Sequence, residues 1–378
     1  MRILLIGEYS RLHNSLKEGL LKLGHEVVIL GYGDSFKDYP VDFKLEKQWN
    51  KGWLKKLNAG IFKFTGFEMA SLFTYLHFKK HQDQFSGFDV VQLINENSFY
   101  CQPFFERKML RFIFDNNRRT FLLSCGDDYL NVKYHFDHPE VKSVIQPYLN
   151  GKIAEKHFLG ILKFRRKSFK KLHDFIYENI AGVIATDIDY HIPLIGNPKY
   201  LGMVANPVNV EKVPFSPLQI TDKINIFLGI NHESYYKKGI HYFEDALDII
   251  RNKYSEKVTI TVSRSIPYNE YIKLYDQTHI LLDQAFAKDQ GYNALEAMAK
   301  GKVVFTGAES EFTKYYQLEN RVAVNAVPNV EKLVSELEYL ILNPDEIKAI
   351  GKNAFAFIQK EHDYLKITER YLEVWKSV

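Results

Sequence analysis

The chain has 378 residues, a length beyond which one hydrophobic core usually stops growing, so two domains are expected. Apolar residues at 46% and charged residues at 25% exclude a disordered chain, and two cysteines are too few for a disulfide framework or a thiolate zinc site. The formal net charge of +4 is concentrated in the first 200 residues, where 29 Lys+Arg meet 22 Asp+Glu, an excess too small to point to nucleic acid.

The opening MRILLIG reads as a buried strand rather than a leader, because Gly7-Glu8 interrupts the apolar run. No stretch of about 18 apolar residues follows, so no spanning helix is expected and a reducing cytoplasm is the expected compartment. Apolar runs near 3–6, 27–30 and 88–94 alternate with helical spacing such as Leu12, Leu16, Leu20 and Leu23. Thr120 to Ser124, a long helix over 152–179 and Gly182 to Thr186 continue the series, which is the pattern of a doubly wound parallel sheet. Prolines 193, 198, 207, 214 and 217 crowd residues 193–222, where a linker is expected. A second βα series follows: strands at Ile224–Ile230, Val258–Val262, Ile280–Asp283 and Val303–Thr306, helices from 239 and over 293–300, then helical segments from 329 to the end. The expected division is 1–200, 201–355 and a C-terminal helix over 356–378 that packs back on the first domain. Two such domains leave a cleft between the carboxyl ends of both sheets, where folds of this kind bind ligands.

Chemistry concentrates in GYNALEAMAKG, from Gly291 to Gly301. A glycine opening a helix allows close backbone approach, and the free N–H groups and positive dipole end suit a diphosphate. Glu296, one turn in, is placed to accept hydrogen bonds from ribose hydroxyls. The plain alternative is a turn glycine and a solvated carboxylate.

This stretch resembles the signature of glycosyltransferase family four, the large group of retaining GT-B transferases, in which a loop of the form E-x7-E ends in Leu-Glu-Ala-Met-Ala-x-Gly. Leu295, Glu296, Ala297, Met298, Ala299 and Gly301 match it in order. The resemblance implies a GT-B fold of two Rossmann-like α/β domains. It further implies that Glu296 holds the donor ribose and that Gly291, Tyr292 and Asn293 face the phosphates. The family's first glutamate falls at Lys288, with Asp289 the nearest carboxylate. Upstream, Gly229 ends a strand and Tyr236-Lys237-Lys238-Gly239 follows, similar to the family's Lys-Gly; Lys238 would neutralise the donor diphosphate, helped by Lys237. Ser263, just after the expected strand Val258–Val262, is also expected to bind the donor. Asn231, His232 and Glu233 stand where the family often has arginine. Ala205-Asn206-Pro207-Val208-Asn209 is similar to the family's linker, and Ser124-Cys125-Gly126-Asp127-Asp128 to its His-Gly-x-Asp, with Cys125 at the histidine position and Asp128 as the catalytic candidate.

On the acceptor side the expected residues are Gly7, Glu8, Ser10, His13, Asn95 and Asp127. The implied partners are a nucleotide-sugar donor and a glycan or lipid-linked acceptor, with no cofactor, and no metal because the donor half lacks Asp-x-Asp. A nucleotide-sugar epimerase, a phosphorylase or an inactive sugar-nucleotide-binding protein would share these features. Two segments mix basic and aromatic residues in a way that suits an anionic membrane surface: 47–63, with Lys47, Trp49, Lys51, Trp53, Lys55, Lys56 and Lys63, and 163–171 (KFRRKSFKK). A solvated face on a core-packed helix is the alternative, since Phe158, Leu162, Phe169, Leu172 and Ile176 make an inward stripe. If the surface is used, the protein sits peripherally at the inner face of a membrane.

Overall fold

The computed structural model describes residues 1–33, 39–46, 48–264 and 273–378; Lys47 lies outside the described residues. Among these residues the chain builds two sheets, each wholly parallel. The first has strands β1 (Arg2–Ile6), β2 (Glu26–Gly31), β3 (Phe43–Lys44), β4 (Val90–Leu93), β5 (Thr120–Ser124), β6 (Gly182–Ala185) and β7 (Tyr200–Met203), in the order β3-β2-β1-β4-β5-β6-β7. The second has β8 (Ile224–Ile230), β9 (Val258–Arg264), β10 (Ile280–Leu282), β11 (Val303–Thr306) and β12 (Val324–Asn325), in the order β12-β11-β10-β8-β9. Successive side chains of a strand point to opposite faces, so Leu4 and Ile6 enter one core while Ile3 and Leu5 enter another. The second sheet divides Ile226 and Leu228 from Phe227 in the same way. With helices on both faces, each sheet is doubly wound.

Several expectations change. The helix expected over 152–179 is broken into a 3-10 turn at Glu155–His157, one helical turn at Leu159–Leu162, a second 3-10 turn at Lys163–Arg165, and α6 (Lys167–Asn179). Phe158, Ile161 and Phe164 are buried at a spacing of three, which fits three residues per turn; from Phe169 the buried spacing becomes Leu172 and Ile176, that of an α-helix. The linker expected from 193 starts later, because Pro193 lies inside α7 (Ile188–Leu194) and β7 still pairs in the first sheet. The last expected helix also divides: α11 spans Pro344–Glu361, and α12 (Tyr364–Lys376) sets Ile367, Tyr371, Leu372 and Trp375 into the core of the first sheet. The chain thus crosses between domains twice, side by side. Val208 N donates to His362 O at 2.8 Å, and Tyr364 N donates to Val208 O at 3.1 Å.

The remaining helices used below are α1 (Leu12–Lys22), α2 (Gly52–Thr65), α3 (Met69–His81), α4 (Pro103–Asn116), α5 (Tyr129–Asp137), α8 (Ile240–Tyr254), α9 (Tyr292–Ala299) and α10 (Val330–Leu342).

Candidate active site

The donor-side residues gather at the carboxyl ends of β8, β9 and β10. Gly229 and Ser263 stand opposite each other in the β8–β9 register. Gly239 takes φ +69° at the start of α8, and a Cβ there would lie 3.1 Å from Ala285 and Phe286, so glycine lets the Lys-Gly turn sit against the next strand's loop. Ala285 N donates to Lys238 O at 2.8 Å, which fixes the lysine backbone to that loop. Lys238 Nζ lies 2.8 Å from Asp283 Oδ1, the lysine side chain 31% exposed and the aspartate 1%. Asn293 Nδ2 donates to the same oxygen at 3.0 Å, which ties the first turn of α9 to the lysine. An anchored, partly exposed ammonium therefore stands beside the helix that Gly291 opens. Glu296, half-buried, lies on that helix. Asp283 was not among the expected site residues, and its signal is present: a carboxylate directly after an apolar strand, at the sheet end where ligands bind.

On the opposite wall the structure sorts the expected residues. Gly7 takes φ +89°, and a Cβ there would meet Ile94 Cγ2 at 2.2 Å; Ser10 (φ +48°) and Arg11 (φ +77°) continue the tight loop after β1. His13 is not on the acceptor wall. It is fully buried, 2.7 Å from Gly7 O and 3.3 Å from Gln92 Nε2, and burial pushes it down to about 4, so it is a neutral packing residue that holds the loop. Glu8 is buried too, with Oε2 accepting from Asn14 N at 2.9 Å and Asn14 Nδ2 at 2.5 Å. Asn95 is buried and donates to the carbonyls of Cys125 (3.0 Å) and Asp127 (3.1 Å), joining two loops.

Asp128, expected as a catalytic carboxylate, is instead the N-cap of α5. Its Oδ1 accepts from Asn131 N at 2.7 Å, and Ser124 Oγ lies 2.5 Å from Oδ2. Burial and the neighbouring Glu96 push it up to about 7. Its neighbour Asp127 is only partly covered, and its pKa is raised by burial and drawn back by the Lys237 and Lys163 ammonium groups. Asp127 is thus the less buried acidic group of this pair, and the one on which the Lys237 ammonium of the second domain acts.

Lys288 and Asp289 are engaged elsewhere. Lys288 Nζ lies 2.8 Å from Glu311 Oε1, in a side chain only 9% exposed. The Lys288 and Asp289 amides donate to Asp189 of the first domain at 3.0 and 3.2 Å, and Asp289 Oδ2 accepts from Ile188 N at 3.1 Å. Burial pushes Asp289 up to about 7 and Asp189 to about 6. Lys142 crosses the same seam to Glu309 Oε1 (2.7 Å) and Ala326 O (2.8 Å). Asp189 and Lys142 were not anticipated, since nothing local in the sequence indicates partners 99 and 167 residues away. Tyr292, at the start of α9, donates from its hydroxyl to Pro207 O at 3.0 Å. The donor loop is therefore held against the first domain through Asp189 and Ile188, and against the linker through Tyr292. Among the described residues, no group of three or more His, Cys, Asp or Glu side chains is arranged to hold a metal ion.

Residues 237–373 match the family described as Glycosyl transferase-like. The matched segment begins at the lysine pair of the donor wall and runs through α9 and α10 into α12. Solved structures align over the whole chain. Sucrose-phosphate synthase from Thermosynechococcus elongatus has a TM-score of 0.63 at 14% identity, covering 100% of this chain and 99% of its own. HepE from Anabaena, in complex with UDP and glucose, has 0.59 at 12%, with 100% of both chains covered. The UDP-GlcNAc 2-epimerase from Neisseria meningitidis, bound to UDP-GlcNAc, has 0.51 at 12%, again over 100% of both. The chain has the GT-B fold. No curated protein matches the sequence.

Proposed function

We propose that the protein is a glycosyltransferase that moves a sugar from a nucleoside-diphosphate sugar to a glycan or lipid-linked acceptor. The finer reading is transfer with retention, without a metal ion, in cell-surface polysaccharide or glycoconjugate synthesis at the inner face of a membrane. The observation that carries it is the Lys238–Asp283–Asn293 network at the N-terminus of α9, inside the glycosyl transferase-like segment. An ammonium and a helix N-terminus that converge suit the negative charge that grows on a departing nucleoside diphosphate. Asp283 holds the ammonium in place before the donor arrives, so little reorganisation is needed during transfer. Gly229 and Ser263 complete the floor of the donor pocket, and Glu296 holds the ribose. Gly7, Ser10 and Asp127 face the reacting sugar and acceptor, and same-face displacement requires no protein nucleophile. Lys288 is not assigned to the sugar, because its ammonium is paired with Glu311.

The test is a thermal-shift screen with UDP-, GDP-, ADP- and TDP-sugars, followed by a transfer assay with the stabilising donor. Stabilisation by a donor together with transfer supports the reading. Turnover of the donor alone moves the assignment to an epimerase, and binding without any turnover moves it to a nucleotide-sugar-binding protein.

A further inference from the structure

Helix α2 is an outlier in the first domain, because none of its residues is buried. Leu54, Asn58 and Ile61 are half-covered, and they lie on one side of the helix. Trp53, Leu57, Gly60 and Phe64, spaced four, three and four apart, form a second stripe whose side chains are exposed. Trp53 is 71% exposed and Phe64 86%, and a Cβ on Gly60 would find no atom within 4 Å. Single exposed apolar residues are ordinary, but an exposed stripe of Trp53, Leu57 and Phe64 along one helix is not.

The charge on the helix that carries the stripe has one sign. Lys51, Lys55, Lys56 and Lys63 are exposed, and no acidic residue occurs between Lys51 and Phe67. Across a cavity of about 740 Å³ lies the second basic segment, with Arg165, Arg166, Lys167, Lys170 and Lys171 exposed and no acidic residue from Lys163 to His173. Phe62, Phe67 and Phe104 line the cavity together with Lys163, Arg166 and Tyr100; its one acidic lining residue among the described residues, Glu68, accepts from Ser71 Oγ. The Tyr100 ring lies 5.8 Å from that of Tyr9, in the loop after β1, so the cavity borders the acceptor wall. Lys163 Nζ donates to Asn97 Oδ1 at 2.8 Å in the same lining.

We propose that α2 and the 163–171 segment form one docking surface for an anionic lipid bilayer, with the Trp53–Leu57–Phe64 stripe lying in the headgroup–acyl boundary. Exposed aromatics flanked by lysines suit that boundary: apolar rings enter it while the ammonium groups stay at the level of the lipid phosphates. A protein partner would be expected to offer some acidic complement on a smaller face, whereas two basic segments on either side of a cavity match a continuous anionic plane. The surface would set the cavity against the bilayer and hand a membrane-borne acceptor to the wall at Tyr9. Docking itself does not depend on the transfer reading.

The experiment is co-sedimentation of the full chain with phosphatidylcholine vesicles containing phosphatidylglycerol, against phosphatidylcholine alone. Binding is expected only with the anionic lipid, with a blue shift of tryptophan emission, and it should decline as salt rises. Lys51→Ala, Lys55→Ala and Lys56→Ala together should weaken it by about fivefold per lysine removed. Trp53→Ala with Phe64→Ala should weaken it at least tenfold. Nucleotide-sugar thermal shifts of these variants should equal the parent's, which shows that they fold and separates a failure of docking from a failure of the donor site. Equal recovery on neutral vesicles, no recovery on either, or unchanged binding of the Trp53/Phe64 variant would overturn the proposal. A dimer in solution that dissociates in that variant would also overturn it, because a second copy would then cover the stripe.

Discussion

Replacing Lys238 by alanine separates the two jobs of its ammonium group. In the free protein that group neutralises Asp283, whose side chain is 1% exposed and whose remaining partners are Asn293 Nδ2 at 3.0 Å and, at 3.5 Å, Thr306 Oγ1. Leaving this carboxylate unpaired costs ~1–3 kcal/mol of stability. Toward a donor, a lost charge-assisted phosphate contact is worth ~1.5–3 kcal/mol, or roughly 10- to 150-fold in the dissociation constant. Lys238→Ala should therefore lower both stability and donor affinity. Adding Asp283→Asn removes the orphaned charge while keeping an oxygen for Asn293, so the double variant should regain stability and stay weak for the donor. Denaturant unfolding gives the first quantity, and calorimetric titration with the stabilising nucleotide-sugar gives the second. Unchanged donor affinity in Lys238→Ala would refute the reasoning, as would recovery of affinity in the double variant, since either result takes the ammonium off the diphosphate.

Glu296→Gln should raise the donor dissociation constant with little change in the unfolding midpoint, because the residue is only half-buried; a loss confined to stability would remove the ribose role. Asp128 should make the protein less stable as pH rises. Its folded pKa of about 7 lies above the ordinary value of 3.8, so the contribution is complete below pH 4 and lost as pH rises through 7, by at most ~4 kcal/mol. Asp128→Asn, which can still accept from Asn131 N and donate to Ser124 Oγ, should flatten that part of a stability–pH curve and retain transfer activity. Lys288→Met should change turnover less than about twofold, since the ammonium is held by Glu311; a tenfold loss of turnover with a normal unfolding midpoint would return Lys288 to the donor site. Gly7→Ala should destabilise the protein by at least ~1 kcal/mol in denaturant unfolding, given φ +89° and the approach of Ile94 Cγ2.

Both sheets were legible in the residues because their signals are local. A strand buried on both faces must be an apolar run, so Thr120–Ser124, Ile224–Ile230 and Val303–Thr306 stand at the expected positions. The helix that Gly291 opens and Gly301 ends is equally local: φ +78° at Gly301 favours a residue without a Cβ. Short strands such as Phe43–Lys44 and Tyr200–Met203 escaped notice, since two to four residues at a sheet edge carry no period. Charge and residue type likewise marked Lys238 and the 47–63 segment, but not what they touch.

Tertiary structure alone decided the pairings. Lys238 meets Asp283 45 residues on, and Asp189 meets the Lys288 amide 99 residues on. Burial by the surrounding elements withdrew His13 and Asp128 from the cleft, although the bonds that hold them are local, His13 bracing Gly7 and Asp128 capping α5. Tertiary packing also paired Lys288, at the family's first-glutamate position, with the partly exposed Glu311, while leaving the Trp53–Phe64 stripe uncovered. The physical reason is common to all of these cases. Backbone periodicity and glycine conformation are set by a residue and its near neighbours, whereas burial and charge partners depend on which elements the two sheets bring together.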